Sequence, residues 1–398
     1  MGPVISVEDA VHRICAAVAP LGSDRVSLAS AHHRVLSADA LAALDQPPHP
    51  ISAMDGYAVR LADTHTVPVT LRVIGAAPAG HPFASSVRAG EAVRIFTGGV
   101  VPEGADAIVI QENTEAKDDL VTLRAPAAAR HIRAARLDFR ECDVLCAAGR
   151  RLTARDLALL AAGGISSVDV QRRPVVAFAA TGDELSPPDA PQRDGGIVAS
   201  SGYALAALIE IWGGAPLDLG ILPDTIEALQ RIPELASPAD IVVTMGGASV
   251  GDHDLVQRAL EPKGFTLNFW KIAMRPGKPL IFGKLGEKPF LGLPGNPVSS
   301  YVCAVLFLQP LIAGLLGLSF TQPLQQARLA CALAANDTRQ DYLRARLIRR
   351  DGELWAEPFA IQDSSMQSAL AAADGLIVRQ PHSAAVQLGE TVEVLLLD

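Results

Sequence analysis

Four apolar runs limit this chain more than any other feature: PVVAFAATG at 174–182, ADIVVTMGG at 239–247, PLIFGK at 279–284 and PFLGLPG at 289–295. Each is short and almost uniformly apolar, as a strand can be when both faces of its sheet are covered. Helical stretches at 203–212, 225–232 and 254–260 lie between some of them. This alternation predicts an open α/β sheet over residues 173–318. The chain has 398 residues, 49% of them hydrophobic, which is material for further domains. Residues 45–140 hold short β runs (VTLRVIG, EAVRIFTGG, AIVIQE, LVTLRA) between Gly, Pro and Asp turns and read as a β-rich domain. After Pro323 a small β domain is expected, with a hairpin at Asp351-Gly352. Helix starts are marked by Ser6 with Asp9 and by Thr153 with Asp156.

The stretch YVCAVLFLQPLIAGLLGLSF at 301–320 is long enough to span a bilayer. Gln309-Pro310 interrupts it and no basic residues flank it, so a buried, proline-broken pair of core helices is the expectation. Net charge is −9. That acidity argues against nucleic acid or an acidic membrane as a partner, and any anion site must be a local basic cluster. Five cysteines form no CxxC pair or zinc spacing, the nine histidines include no HExxH, and no leader-like segment opens the chain. A cytoplasmic setting is expected.

In open α/β sheets ligands bind beyond the carboxyl ends of the strands. Four such ends carry unusual residues here. TGDEL brings Thr181, Gly182, Asp183 and Glu184, an acid pair suited to hydrogen bonding or to Mg²⁺, or simply a polar turn. In GGASVGDHD, Gly246, Gly247 and Gly251 let backbone N–H groups approach a ligand and Ser249 adds a hydroxyl. Asp252 and Asp254 follow at a helix start, where acids also suit the dipole without any ligand. WKIAMRPGKPLIFGK concentrates Lys271, Arg275, Lys278 and Lys284 on proline-stiffened backbone, which suits an oxyanion. In LGLPGNPVSS a strand runs into Pro294-Gly295, Asn296 is placed to cap a helix and Pro297 fits its first position; the N–H groups of Val298, Ser299 and Ser300 would then face an anion.

Two further turns lie in the β-rich domain: PPHPISAMDGYAV with Asp55, and FTGGVVPEGADAIV with Thr97. Each alone reads as an ordinary turn. GASVG also matches G-x-S-x-G, the pattern of a serine hydrolase with Ser249 as nucleophile, but the extra Gly246 and the lack of an upstream oxyanion loop make the match weak.

Taken together, SAMDGYAV, FTGGVVPEGADAIV, ATGDEL, GILPDT, GGASVGDHD, WKIAMRPGKPL and GLPGNPVSS stand in the order found in the molybdopterin molybdenumtransferase family (MoeA and the gephyrin E-domain). The chain resembles that family over nearly its whole length. The resemblance implies an α/β multidomain fold. Its parts would be a molybdopterin-binding-type α/β domain at 173–318, a β-rich insertion at 45–140, a discontinuous N-terminal helical or mixed domain at 1–44 with 141–172, and a C-terminal barrel-like β domain at 319–398. It implies the last step of molybdenum cofactor synthesis: adenylylated molybdopterin binds, molybdate enters at the dithiolene and AMP leaves, with Mg²⁺ as the divalent cation. It also implies a cytoplasmic homodimer whose sites each join the α/β domain of one subunit to the β-rich domain of the other. Molybdopterin adenylyltransferase and molybdoenzyme chaperones would be its protein contacts.

By the same resemblance the functional acids fall on Asp55, Asp138, Asp224, Glu184 and Asp254, the threonine on Thr97, the cations on Lys271, Arg275 and Lys278, and the proline turn on Pro294 and Pro297. Asp55, Glu184 and Asp254 are the expected metal ligands and, with Lys271 and Arg275, the expected catalytic set. Substrate contacts are expected from the remaining strand-end residues named above, Ser299 included. The chain departs from the family pattern in several places. Arg275 stands for a usual Lys, Arg136-Leu137-Asp138 for Gly-Glu-Asp, TGGVV for TGAPV, Ser201 for a common Asn, and DSSMQS for a Gly-Ser-Gly or Ser-Ser-His type of turn. A dimeric scaffold that binds peptides is the alternative of a different class, and the sequence does not separate molybdate from tungstate.

Overall fold

The computed structural model describes residues 4–191, 194–247 and 255–397. They form two compact units, one of residues 25–170 and one of residues 4–24 with 171–397.

In the second unit six strands make one sheet: β1 (Val175–Thr181), β2 (Ala215–Leu222), β3 (Ile241–Met245), β4 (Phe265–Lys271), β5 (Pro279–Leu285) and β6 (Lys288–Leu293), in the order β2-β1-β3-β6-β5-β4. The first four in that order are parallel, and β5 and β4 add antiparallel at one edge. β3 is buried at all five positions, which is why its sequence shows no alternation. The chain passes from β1 outward to β2 and returns to β3 on the other side, so the β1–β3 gap is the switch point of the sheet.

Five helices matter for the site: α1 (Val7–Ala16), α2 (Ser201–Ile211), α3 (Leu255–Leu260), α4 (Pro297–Cys303) and α5 (Gln309–Leu315). Ser6 caps α1 by accepting the Asp9 N–H at 3.0 Å. α1 packs on α5, and Ile5 exchanges backbone bonds with Lys271 and Ala273. The N-terminal helix therefore belongs with the α/β unit here, apart from the Thr153 helix. Residues 297–315 do not break at Pro310 as expected. A π turn at Ala304–Leu308 joins α4 to α5 into one helical stretch. A widened turn just ahead of a proline relieves the clash of its ring with the preceding carbonyls, so no break is needed. The stretch is long and apolar enough to cross a membrane, but 78% of it is buried inside the protein.

Five strands close a small barrel at the C-terminus: Leu324–Leu329, Gln340–Arg350, Glu353–Pro358, Gly375–Arg379 and Thr391–Leu396. Asp351 and Gly352 form its hairpin turn, with φ of 52° and 83°. Met274–Arg275 pairs with Gln340 and Asp341, tying the barrel to the loop after β4.

In the unit 25–170, six strands form a sheet in the order Ala107–Ile110, Gly56–Val59, Glu91–Ile95, Val69–Ala77, Leu120–Leu123 and Thr114–Lys117. A separate core joins residues from both sides of this insertion, among them Leu36, Ala40, Leu152, Leu160 and Val170. There the Asp156 carboxylate accepts the Thr153 N–H at 2.8 Å and the Arg150 Nε–H at 3.0 Å. The Arg150 bond, ahead of the Thr153 bonds, lowers the Asp156 pKa from 3.8 to about 2. A depressed folded value means stability that is complete above the ordinary pKa and lost as pH falls through the folded one. Asp156→Asn should therefore remove part of the loss in stability between pH 4 and pH 2, as urea midpoints across that range will measure.

Candidate active site

A cavity of ≈ 710 Å³ opens at the carboxyl ends of β1, β3 and β6. Of the residues singled out in the sequence, Thr181, Glu184, Asp224, Gly246, Gly247, Pro294, Gly295, Asn296, Pro297 and Ser299 line it. Ser249, Gly251, Asp252 and Asp254 lie outside the described residues. Backbone geometry explains one of the glycines. Gly246 has φ 101°, and a Cβ there would sit 2.4 Å from the Thr181 carbonyl oxygen. Thr181 is 4% exposed, and among the described residues its Oγ1 has no hydrogen-bond partner, a buried polar group that a bound ligand could satisfy.

Three acids converge beside this cavity. The Asp224 N–H donates to Asp183 Oδ1 at 3.1 Å. Desolvation first, then the Asp183 and Glu184 charges, raise the Asp224 pKa above its ordinary value. Crowding of like charges disfavours ionisation of the set, and among the described residues no group of three such side chains is placed to hold a metal ion.

The barrel loop around Asp363, the DSSMQS segment that departs from the family pattern, forms another side of the site. Ser365 and Gln367 line the cavity. Asn296 does not cap α4 with its side chain; its Nδ2 donates to Ser364 Oγ at 2.9 Å, and the Val298 N–H donates to the Ser364 carbonyl at 3.1 Å. The Ser300 N–H is taken by the Asn296 carbonyl at 2.9 Å. Two of the three N–H groups expected to face an anion are thus occupied, one by the docked barrel loop and one by the first backbone bond of the helix itself. Arg344 anchors that loop. Although 1% exposed, it donates to the Met366 carbonyl at 3.0 Å and to the Asp363 carbonyl at 2.8 Å. Nothing in the sequence singles Arg344 out, since it is one of four arginines in the strand Gln340–Arg350.

The basic cluster is arranged differently from the expectation. Among the described residues no Lys or Arg lines the cavity, although Pro279, next to Lys278, does. Lys271 Nζ lies 4.2 Å from the centre of the Trp270 ring. Arg275 is committed to the barrel: its Nε donates to Asp341 Oδ1 at 2.9 Å and its Nη2 to Oδ2 at 2.5 Å, with Asp337 at 3.8 Å. A two-point pair needs a planar guanidinium, which gives a physical reason for Arg at a position where the family usually has Lys.

In the unit 25–170, the SAMDG and FTGG turns are stitched together. The Ser52 N–H donates to the Gly99 carbonyl and the Gly98 N–H to the Ser52 carbonyl, both at 2.9 Å. Asp55 Oδ1 accepts the Thr97 N–H at 2.7 Å and the Thr97 hydroxyl at 2.9 Å. These bonds, with a smaller contribution from Arg94, hold the Asp55 carboxyl below the usual range. Two turns that looked ordinary alone therefore make one carboxylate–threonine constellation. Asp138 is exposed, and its backbone N–H bonds to the Gln46 carbonyl at 3.0 Å. Arg136, in place of a usual glycine, has φ 64° and donates to Asp45 Oδ2 at 2.7 Å. Glycine reaches that backbone region freely, so the ion pair offsets a strained arginine.

Three family models cover the chain: MoeA N-terminal region (domain I and II) at residues 5–164, probable molybdopterin binding domain at 177–314, and MoeA C-terminal region (domain IV) at 326–397. A molybdopterin molybdenumtransferase from Haemophilus influenzae is 36% identical, covering 94% of each chain. The chain belongs to this family. The molybdopterin molybdenumtransferase of Nostoc is 39% identical over 80% of this chain and 76% of its own. A molybdopterin biosynthesis MoeA protein from Pyrococcus horikosii superposes with TM-score 0.86 at 31% identity, covering 99% of both chains. The MoeA architecture, with its α/β domain, closed C-terminal barrel and mixed N-terminal regions, is thus shared, and so is an enzymatic place in molybdenum cofactor biosynthesis.

Proposed function

We propose that this chain inserts molybdate into adenylylated molybdopterin and releases AMP, in the cytoplasm and as a homodimer. The switch-point cavity supports this reading most directly. It offers glycine backbone for close approach of phosphates, a buried Thr181 hydroxyl without a partner among the described residues, and acids beside both.

The donor set fits Mg²⁺ in chemistry, since Glu184 and Asp224 are hard oxygen ligands whose crowding a cation would relieve. Among the described residues no group of three or more His, Cys, Asp or Glu is placed to hold a metal ion, so substrate oxygens and water would have to supply most of the shell. Glu184 and Asp224 would hold the ion; the expected contribution of Asp254 lies outside the described residues. When bound, the cation neutralises phosphate charge. Thr181 and the Gly246-Gly247 backbone orient the pyrophosphate. Glu184 positions the water that attacks phosphorus and takes its proton as the anhydride P–O bond breaks and AMP leaves. Lys271 and Lys278 attract molybdate, while Arg275 holds their loop against the barrel. Asp55 and Thr97 would serve the site of a partner subunit.

The deciding experiment is incubation with adenylylated molybdopterin, Mg²⁺ and molybdate, with AMP as the readout. Absence of AMP release from folded, dimeric protein would favour a scaffold. Lys271→Glu should raise the KM for molybdate by about tenfold or more, with the melting temperature nearly unchanged. Normal kinetics in that variant would remove Lys271 from the anion site.

A further inference from the structure

Arg94 lies in the strand Glu91–Ile95, directly across from Tyr57. Its guanidinium carbon is 5.1 Å from the Tyr57 ring centre and 5.0 Å from that of Phe96. One terminal nitrogen donates to the Gly56 carbonyl at 3.1 Å and the other to Gln111 Oε1 at 2.6 Å. Every one of these contacts borders the Asp55–Thr97 pair. Gly56 follows Asp55, Phe96 precedes Thr97, and the Gln111 N–H donates to the Asp55 carbonyl at 3.0 Å. A planar cation held between two rings and bonded at two points is a rigid peg, and a lysine ammonium cannot reproduce both features.

We propose that Arg94 is a positioning residue, which locks the two turns so that the Asp55 carboxylate and the Thr97 hydroxyl stay paired in the geometry the reaction uses. The inference rests on the reading above, in which Asp55 and Thr97 serve molybdate insertion. Arg94 acts through them and touches no substrate. Both Thr97 bonds fall on Asp55 Oδ1, which leaves Oδ2 for the reaction. The Arg94 charge adds to the depression of the Asp55 pKa behind those two bonds.

The test compares Arg94→Gln, Arg94→Lys, Asp55→Asn and the Asp55→Asn/Arg94→Gln double variant by AMP release and by hydrogen exchange at the Thr97 amide. Arg94→Gln should lower kcat about tenfold, leave KM for molybdate unchanged and speed Thr97 exchange about tenfold. Arg94→Lys should recover only part of both, and the double variant should be no slower than Asp55→Asn alone. If Arg94→Gln melts well below the parent, the exchange comparison passes to Arg94→Lys. Parental exchange at Thr97, or losses that add in the double variant, overturns the proposal. Full activity in Asp55→Asn alongside fast Thr97 exchange in Arg94→Gln would sink the assigned role of Asp55 in the reaction, and leave the grip of Arg94 on the turns intact.

Discussion

Glu184→Gln lowers molybdate-dependent AMP release by about 100-fold or more, without loss of folding or of substrate binding. The expectation follows from what Glu184 does not do. It is exposed at the cavity, and among the described residues its carboxylate makes no hydrogen bond or ion pair that supports the fold. Its charge adds to the rise of the Asp224 pKa, so the two carboxylates repel each other. Glutamine keeps the shape and removes the charge and the proton acceptor. The variant should therefore match or slightly exceed the parent in stability. The Asp224 pKa should move back toward its ordinary value, since one of the charges raising it is gone. Single-turnover AMP release, substrate binding and the thermal midpoint measured together check this. Unchanged turnover would remove Glu184 from the mechanism.

Arg344→Met should destabilise the barrel by about 3 kcal/mol, through two partly buried carbonyl oxygens left without their charged donor. Methionine fills the volume, so cavity formation is a minor part of the loss. The Asp363 and Met366 carbonyls lose their charged partner, and Gln362 loses the bond from Arg344 Nε at 3.3 Å. The loop they belong to carries Ser364, which accepts from the start of α4, and Ser365 and Gln367, which line the cavity. Loosening it should speed hydrogen exchange at Val298 and raise the KM for adenylylated molybdopterin. An unchanged denaturation midpoint with parental exchange at Val298 would show that the loop stands without Arg344.

The α/β sheet was legible because buried parallel strands need unbroken apolar runs, and few other structures tolerate them. The strand-end glycines were legible for a related reason, since Gly246 occupies backbone space that a side chain cannot. The hairpin at Asp351-Gly352 and the caps at Ser6 and Thr153 were local, set by residues within a few positions of one another. The fate of Pro310 was less legible, because a π turn and the surrounding core decide whether a proline breaks a helix.

By itself the sequence determined which segments become strands, where glycine is needed at a strand end, and which acids and cations stand near those ends in the chain. Only the tertiary structure decided how those charges are spent. Arg275 looked like a substrate cation until Asp341, 66 residues away, was seen to hold it. Asn296 looked like a helix cap until Ser364 was seen to take its amide. Asp55 and Thr97 looked like two ordinary turns until strand pairing stitched them together. The physical reason is common to all three. Conformational preference is local to the chain, but the partner of a polar group is whichever group folding brings within about 3 Å, and sequence distance does not encode that.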